Sequence, residues 1–246
     1  MSDTRHLFGF HAVIARLRAH PESVQALYVS SARRDRRLRE LVERAETSGV
    51  AVHAIEDARL DALAGGGSHQ GVVALVSGEV AARTLDELLD GLAEAALLLV
   101  LDGVTDPHNL GACLRSADAF GAHGVIVPKD RAVGVNATVA KAAAGAVDSI
   151  PVVSVTNLAR SLREIKERGV WILGADESGA ESLFDADLSG PLAWVLGAEG
   201  AGLRRLTREH CDRLIRIPLQ GTVESLNVSV AAGVCLFATR QQRSRR

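Results

Sequence analysis

Three loops of this chain carry polar residues, and each follows an apolar run of strand length. The first, residues 102–111 (DGVTDPHNLG), leads into a helix whose apolar stripe includes Leu110, Cys113 and Leu114. Because successive helical residues are turned by about 100°, Arg115 points away from that stripe. An outward arginine is most often solvated surface, so its position on the helix assigns it no chemistry by itself.

The second loop, residues 197–202 (GAEGAG), is rich in glycine. A dinucleotide-binding fingerprint has the order G-x-G-x-x-G near the start of a βαβ unit, whereas this loop has the reverse order and lies late in the chain. Glu199 would also repel a pyrophosphate, which needs bare backbone N–H groups. The loop therefore favours a cationic or hydroxyl-bearing ligand, and a tight turn with a solvent-facing glutamate is the structural alternative.

The third loop, residues 217–229 (IPLQGTVESLNVS), begins where a strand ends at a proline and leads into an apolar helix. Ser225, Asn227 and Ser229 are small polar residues that commonly cap helices or form turns, and taken alone they favour that interpretation. All three loops, however, follow strands. Ligands of open α/β sheets bind beyond the carboxyl ends of the strands, so these loops are where we expect the chemistry.

The elements that position these loops alternate between apolar strands and amphipathic helices. This pattern predicts an α/β protein whose mostly parallel sheet is covered by helices on both faces. Strands are predicted at residues 97–101, 124–127, 150–155, 170–173, 193–196 and 214–217. Asn109, Thr156 or Asn157, and Ser225 are predicted to cap the helices between and after them.

A smaller α/β unit is predicted in front of this domain. Its helices are expected near residues 11–19 and 33–47, with a further short helix just before the loop at residues 65–71, and its strands at residues 25–30, 50–55 and 72–76. The pattern weakens after it into a polar turn and a short acidic helix, with Thr84 as its cap. We therefore predict an N-terminal unit of residues 1–76, a linker of residues 77–95 and a C-terminal domain of residues 96–246.

Charge and composition limit the possible functions. The formal net charge is −2, so no long-range positive field favours nucleic acid, and any RNA site must be local. Arginines cluster at residues 33–39 and 204–216, although a solvated helix face explains each cluster equally well. The loop 65–71 (GGGSHQG) lacks the Lys-Ser/Thr ending of a nucleotide-triphosphate loop.

The cysteines and the hydropathy pattern argue against a disulfide-linked, a zinc-binding or a membrane protein. Cys113, Cys211 and Cys235 lack C-x-x-C spacing, so they predict neither a disulfide framework nor a zinc site. We find no targeting pattern and no apolar run of ~18 residues. The sequence therefore predicts a cytoplasmic protein that needs no metal and associates with no membrane.

Together the three loops closely resemble the three motifs of the SpoU/TrmH family of RNA ribose 2′-O-methyltransferases. The segment 106–112 (DPHNLGA) with Arg115 is similar to the first motif, residues 195–202 (VLGAEGAG) to the second, and residues 217–229 to the third. They follow the family's order and spacing, and the resemblance covers the whole chain. Residues 6–13 and 69–71 resemble the family's small RNA-binding domain.

Within that family, the N-terminal arrangement and residues 204–211 are most similar to the bacterial enzymes that methylate a 23S rRNA guanosine in the peptidyl-transferase P loop. The resemblance implies a SPOUT-type C-terminal domain with a deep trefoil knot, which generic topology rules would reject. It also implies a homodimer, S-adenosylmethionine as methyl donor, and 23S rRNA or a large-subunit assembly intermediate as partner.

The resemblance also assigns roles to individual residues. The catalytic group implied by the family motifs consists of Arg115, Asn109, Glu199, Ser225 and Asn227. Cofactor contacts are implied for Gly197, Ile217, Leu219 and Leu226, and RNA contacts are expected for Arg33, Arg34, His69 and Gln70. Because a guanidinium is effectively always protonated, we interpret Arg115 as a phosphate-binding and charge-stabilising group and not as a general base.

Other functions are compatible with parts of this pattern. A tRNA ribose methyltransferase shares all three motifs, and a resistance-type rRNA methyltransferase would act at another nucleotide. A non-catalytic RNA-binding or ribosome-assembly protein is the alternative from another class. A Rossmann oxidoreductase is the third, which Glu199 and the reversed glycine order oppose.

Overall fold

The computed structural model describes residues 4–65, 69–77, 84–90, 92 and 94–245. The chain divides into two compact units. One comprises Met1–Ala81 with Ala144–Ser149, and the other comprises Ala82–Ala143 and Ile150–Arg246. Of the predicted linker, residues 78–83, 91 and 93 lie outside the described residues.

The N-terminal unit is a four-stranded sheet with three α-helices. Its elements are β1 (Thr4–Phe8), α1 (Phe10–Ala19), β2 (Val24–Ser30), α2 (Arg36–Thr47), β3 (Ala51–Ile55), α3 (Asp57–Ala64) and β4 (Val72–Ser77). The strand order is β1-β4-β2-β3, with β2 and β3 parallel and the other pairs antiparallel. Phe10, Leu27 and Val72 lie at the centre of its core and are fully buried.

The C-terminal unit is built on a seven-stranded sheet. Its elements are α4 (Leu85–Asp90), β5 (Leu97–Asp102), α5 (Pro107–Ala119), β6 (Gly124–Pro128), α6 (Ala137–Ala143), β7 (Val152–Val155), α7 (Leu158–Glu167), β8 (Trp171–Ala175), β9 (Glu181–Ser182), β10 (Leu192–Gly197), α8 (Arg205–His210), β11 (Arg213–Arg216) and α9 (Val228–Arg243). The strand order is β7-β6-β5-β10-β8-β11-β9, and all of these neighbours are parallel.

Helices cover both faces of this sheet, as predicted. On one face, Leu98 and Val100 of β5 pack with Leu162 of α7. On the other face, the indole of Trp194 in β10 donates a buried hydrogen bond of 2.9 Å to the Thr239 hydroxyl of α9. Side chains alternate along a strand, so continuous apolar strands of this kind are buried on both sides. None of the helices within the described residues is long and apolar enough to cross a membrane.

Two of the predicted helix caps are wrong by a few residues. Asp106, and not Asn109, caps α5, because its carboxylate accepts the His108 amide at 3.0 Å and Pro107 starts the helix. Asn227, and not Ser225, caps α9 by accepting the Ser229 amide at 2.9 Å. Both corrections leave Asn109 and Ser225 with side chains that are not used as caps.

Two other caps are confirmed. The Thr84 hydroxyl accepts the Glu87 amide at 3.2 Å, while the Glu87 carboxylate accepts the Thr84 amide at 3.1 Å. This reciprocal pair is a capping box at the start of α4. Asn157 caps α7 by accepting the Arg160 amide at 3.0 Å.

Candidate active site

The ends of four neighbouring strands bring the candidate loops together. In the register of the sheet, Asp102 at the end of β5 is paired with Gly197 at the end of β10. Leu196 of β10 and Ile215 of β11 are both paired with Ala175, the last residue of β8. Because all four strands are parallel, the loops that follow them leave the same edge of the sheet side by side.

An ion pair with a buried carboxylate fixes the first loop to the second. The Asp102 side chain is fully buried and accepts the Arg204 backbone amide at 3.0 Å as well as the Arg204 guanidinium. A buried carboxylate needs such partners, since an unpaired charge in the interior is costly. Asp102 therefore holds Arg204, and with it the far end of the glycine loop, against the end of β5. The sequence interpretation missed this role of Asp102.

The glycine loop is a tight turn. The Gly202 amide donates to the Ala198 carbonyl at 2.8 Å, and Gly200 and Gly202 have φ values of 76° and 63°. A β-carbon at Gly197 would lie 2.0 Å from the carbonyl carbon of Gly202, which no side chain can tolerate. The glycine at position 197 is therefore required by the close approach of the loop's two ends.

This turn lines a cavity of about 530 Å³, which is a typical volume for a small-molecule site. The cavity brings together many of the residues predicted for the site, namely Gly197, Glu199, Ile217, Leu219, Ser225 and Leu226. Residues 197–202 of the glycine loop line it together with the apolar residues Leu196, Ile217 and Leu226. Such a cavity fits a ligand with a flat apolar part and several hydrogen-bonding groups.

The cavity is lined by more acids than bases. Asp176, Glu177, Glu199 and Glu224 face a single arginine, Arg208. Of these acids, Asp176 is paired with Arg208 at 2.6 Å. The excess of carboxylates gives the cavity a negative potential, which favours a ligand with positive charge.

Asp176 and its neighbours follow β8 and were not predicted. Burial alone would raise the pKa of the Asp176 carboxyl, but hydrogen bonds from Ser178 and the charge of Arg208 outweigh it and hold that pKa below its ordinary value of 3.8. The signal was present in the sequence, because the polar residues 176–178 (DES) come shortly after the predicted strand 170–173. Residues 176–178 therefore form a fourth loop of the site.

The first and third motifs meet through two asparagines. The Asn227 Nδ2 group donates to Asn109 Oδ1 at 2.9 Å, while Asn227 Oδ1 accepts from the Ser229 amide and hydroxyl. The cap thus fixes which way the Asn227 amide faces, and that in turn orients Asn109. The Nδ2 donor of Asn109 makes no hydrogen bond within the described part of the chain.

Of the five predicted catalytic residues, Glu199 and Ser225 line the cavity, whereas Arg115, Asn109 and Asn227 do not. The Arg115 side chain is exposed on α5, as the apolar stripe predicts. It makes no hydrogen bond or ion pair with any residue that the structure describes. Within the described residues, no hydrogen bond or ion pair therefore joins Arg115 to Asn109, Glu199, Ser225 or Asn227.

Of the predicted RNA contacts, Arg33 and Arg34 line a groove of about 410 Å³ on the N-terminal unit. Arg34 is exposed, whereas the Arg33 guanidinium bonds to Asp35 and to the Gln70 carbonyl and lies 4.4 Å from the centre of the Phe10 ring. Of these two predicted RNA contacts, Arg33 is thus already engaged by residues of its own unit.

His69 is likewise held within the N-terminal unit. Its Nδ1 accepts the Gly71 amide at 3.0 Å, and its Nε2 lies 2.9 Å from an Asp61 carboxylate oxygen. An Nδ1 that accepts leaves the ring proton on Nε2, which can then donate to Asp61. Gln70 has a left-handed backbone, with φ of 52°, and an exposed side chain.

The cysteines are poorly suited to nucleophilic chemistry. Burial raises the pKa of Cys113, Cys211 and Cys235 to about 12, so these thiols are protonated at neutral pH. Within the described residues, no group of three His, Cys, Asp or Glu side chains is arranged to hold a metal ion.

Comparison with known proteins bears on both units. The model of the SpoU rRNA Methylase family matches residues 96–237, and a model described as RNA 2′-O ribose methyltransferase substrate binding matches residues 6–79. A 23S rRNA (guanosine-2′-O-)-methyltransferase from Bordetella pertussis is 57% identical over 99% of this chain and 99% of its own length. A relative of the same name from Nitrosomonas europaea is 56% identical over 100% of this chain and 95% of its own length.

Solved structures agree with the observed fold. The SpoU methyltransferase AviRb from Streptomyces viridochromogenes, in complex with the cofactor AdoMet, superposes with a TM-score of 0.75 at 28% identity. The alignment covers 99% of this chain and 92% of that one.

Proposed function

The chain belongs to the SpoU rRNA Methylase family, and on that basis we propose that it methylates the ribose 2′-hydroxyl of a guanosine in the P loop of 23S rRNA. S-adenosylmethionine is the methyl donor. The observation that carries the proposal is the cavity at the ends of β8, β10 and β11, where the second and third motifs meet. We propose that the protein acts in the cytoplasm, on free 23S rRNA or on a large-subunit assembly intermediate.

The cavity fits the proposed cofactor in charge and shape. When bound, S-adenosylmethionine supplies a methyl carbon on a positively charged sulfur that is already a good leaving group. The carboxylates of Glu177, Glu199 and Glu224, which form no ion pair with a described residue, give this part of the cavity the sign of potential that such a cation prefers. Ile217, Leu219 and Leu226 would hold the adenine, and the backbone of Gly197 would contact the adenosyl group.

The remaining tasks of the protein are alignment of the hydroxyl and stabilisation of its developing negative charge. We assign the second task to Arg115, whose planar guanidinium can hold the phosphate next to the target ribose. Asn109, positioned by Asn227, offers its free Nδ2 donor to the same nucleotide. Glu199 and Ser225 line the cavity where the hydroxyl would meet the methyl group.

We propose a homodimer, because α9 presents an apolar surface. Val230 and Phe237 lie two helical turns apart on one face of α9 and are 50% and 52% exposed. Phe120 packs edge-on against Phe237, with 5.9 Å between ring centres, and extends that surface towards the end of α5. Such contiguous apolar surface is typical of subunit contacts. A second chain would also bring new residues towards Arg115.

The trefoil knot implied by the family remains part of this proposal.

A tRNA ribose methyltransferase is the second candidate, because such an enzyme shares all three motifs and the motifs do not distinguish tRNA from rRNA as the substrate. The match of residues 6–79 to a substrate-binding model and the naming of the relatives favour rRNA. The test is methyl incorporation from labelled S-adenosylmethionine into unmodified 23S rRNA and unmodified tRNA in parallel. Label in 23S rRNA that maps to the P loop supports the proposal. Label in tRNA alone would overturn the proposed substrate. No label in either RNA would point to an assembly particle as the substrate or to a protein that only binds.

A further inference from the structure

A basic loop lies between β6 and α6 and has no role in the site described so far. It comprises residues 129–136 (KDRAVGVN), and it is exposed along most of its length. Neither the Lys129 nor the Arg131 side chain makes a hydrogen bond or ion pair with a described residue. By contrast, other arginines of this unit are paired with acids, such as Arg204 with Asp102 and Arg213 with Glu181.

The position of this loop is fixed beside the first motif. The Val133 amide donates to the Val104 carbonyl at 3.0 Å. A β-carbon at Gly103 would lie 3.7 Å from the Arg131 carbonyl oxygen and 4.0 Å from the β-carbon of Ala198. Gly103 thus lies between the basic loop and the glycine loop, and the basic loop flanks the candidate active site.

The backbone of Arg131 is held in an unfavourable conformation. Its φ is 58°, a left-handed value that is uncommon for residues other than glycine, asparagine and aspartate. Strained residues of this kind persist where surrounding contacts fix them, and they are concentrated at functional sites. Here the contact of Val133 with Val104 fixes the turn that presents Lys129 and Arg131.

We propose that Lys129 and Arg131 bind phosphates of the RNA strand next to the target nucleotide. This proposal rests on the proposed function. Glu199 and Glu224 would repel an approaching RNA, and the net charge of the chain provides no compensating attraction. Lys129 and Arg131, which make no ion pair with a described residue, supply that attraction locally beside the site. Asp130 is the one acid of residues 129–136 that opposes them.

The test uses the full-length protein and a short RNA hairpin that contains the 23S P loop. Lys129→Gln and Arg131→Gln each remove one charge, and Arg163→Gln on the exposed face of α7 is the matched control. We expect each loop variant to reduce the slope of log affinity against log salt by about 0.7 to 0.9, with about fivefold weaker binding near 0.1 M salt. S-adenosylmethionine affinity should be unchanged in all three.

The outcomes separate this proposal from the proposed function. If the wild type methylates the RNA but the loop variants keep the wild-type affinity and salt slope, the phosphate contacts are refuted and the function stands. Equal losses of RNA affinity in Arg163→Gln and in the loop variants would show a nonspecific effect of charge. That result would also refute the proposed phosphate contacts. If the wild type neither binds nor methylates the hairpin, free 23S rRNA or a large-subunit assembly intermediate, both proposals fail.

Discussion

Replacing Gly197 with alanine tests whether the glycine loop forms the cofactor cavity. The new β-carbon would lie 2.0 Å from the Gly202 carbonyl carbon and 2.4 Å from the Leu203 amide nitrogen. Both neighbours are backbone atoms, so no side chain can rotate out of the way. An ordinary contact needs at least 3.4 Å, and the loop must therefore move by about 1.4 Å.

A displacement of that size should be costly for catalysis, since misplacing a site by about 1 Å can reduce turnover roughly 100-fold. We expect kcat/KM for the Gly197→Ala variant to fall about 100-fold, with weaker S-adenosylmethionine binding in titration calorimetry. Overpacking should also lower the free energy of unfolding by about 1–3 kcal/mol. Gly190→Ala is the control, because that position is exposed and a β-carbon there meets nothing within 4 Å. Unchanged cofactor affinity and turnover in Gly197→Ala would refute this role of the loop.

Three further substitutions test separate parts of the site. Arg115→Lys keeps the charge but loses the planar guanidinium. We therefore expect kcat to fall severely, while cofactor affinity and Tm stay near the wild-type values. Near-full turnover in this variant would refute the role of Arg115. Asp102→Asn leaves the Arg204 guanidinium without its buried charged partner. Because Arg204 is partly exposed, we expect the free energy of unfolding measured in urea to fall by about 2 kcal/mol. An unchanged urea midpoint would contradict this expectation. Asp176 has a lowered pKa in the folded state, so its stabilising contribution is present above pH 3.8 and is lost as the pH falls through the folded-state pKa. Asp176→Asn should therefore show a smaller loss of stability than the wild type as the pH falls below 3.8, and identical acid profiles would refute the assignment.

Local signals in the sequence predicted most of the elements. The apolar run 97–101 corresponds to β5, and the Thr84 cap is confirmed by its capping box with Glu87. The strand β1 was not predicted, because an edge strand that buries little of its surface lacks a strong pattern. The cap at Asn109 was wrong, because Asp106 followed by Pro107 is the stronger helix-start signal.

The site was partly predictable. Its loops were identified because polar residues followed apolar strands, and their family resemblance is confirmed by the matching family models. The pairing of Asp102 with Arg204 joins residues that are far apart in the chain, and only the strand order brings them together. The roles of the catalytic residues, the knot and the dimer stay predictions.

The central claim is that the acceptor is a ribose hydroxyl. The most direct measurement uses two P-loop RNA hairpins that are identical except that one carries 2′-deoxyguanosine at the position labelled by the enzyme. After incubation with labelled S-adenosylmethionine and digestion to nucleosides, we expect 2′-O-methylguanosine from the ribose substrate and no label from the deoxy substrate. A base-methylated nucleoside, or equal label in both hairpins, would contradict the claim.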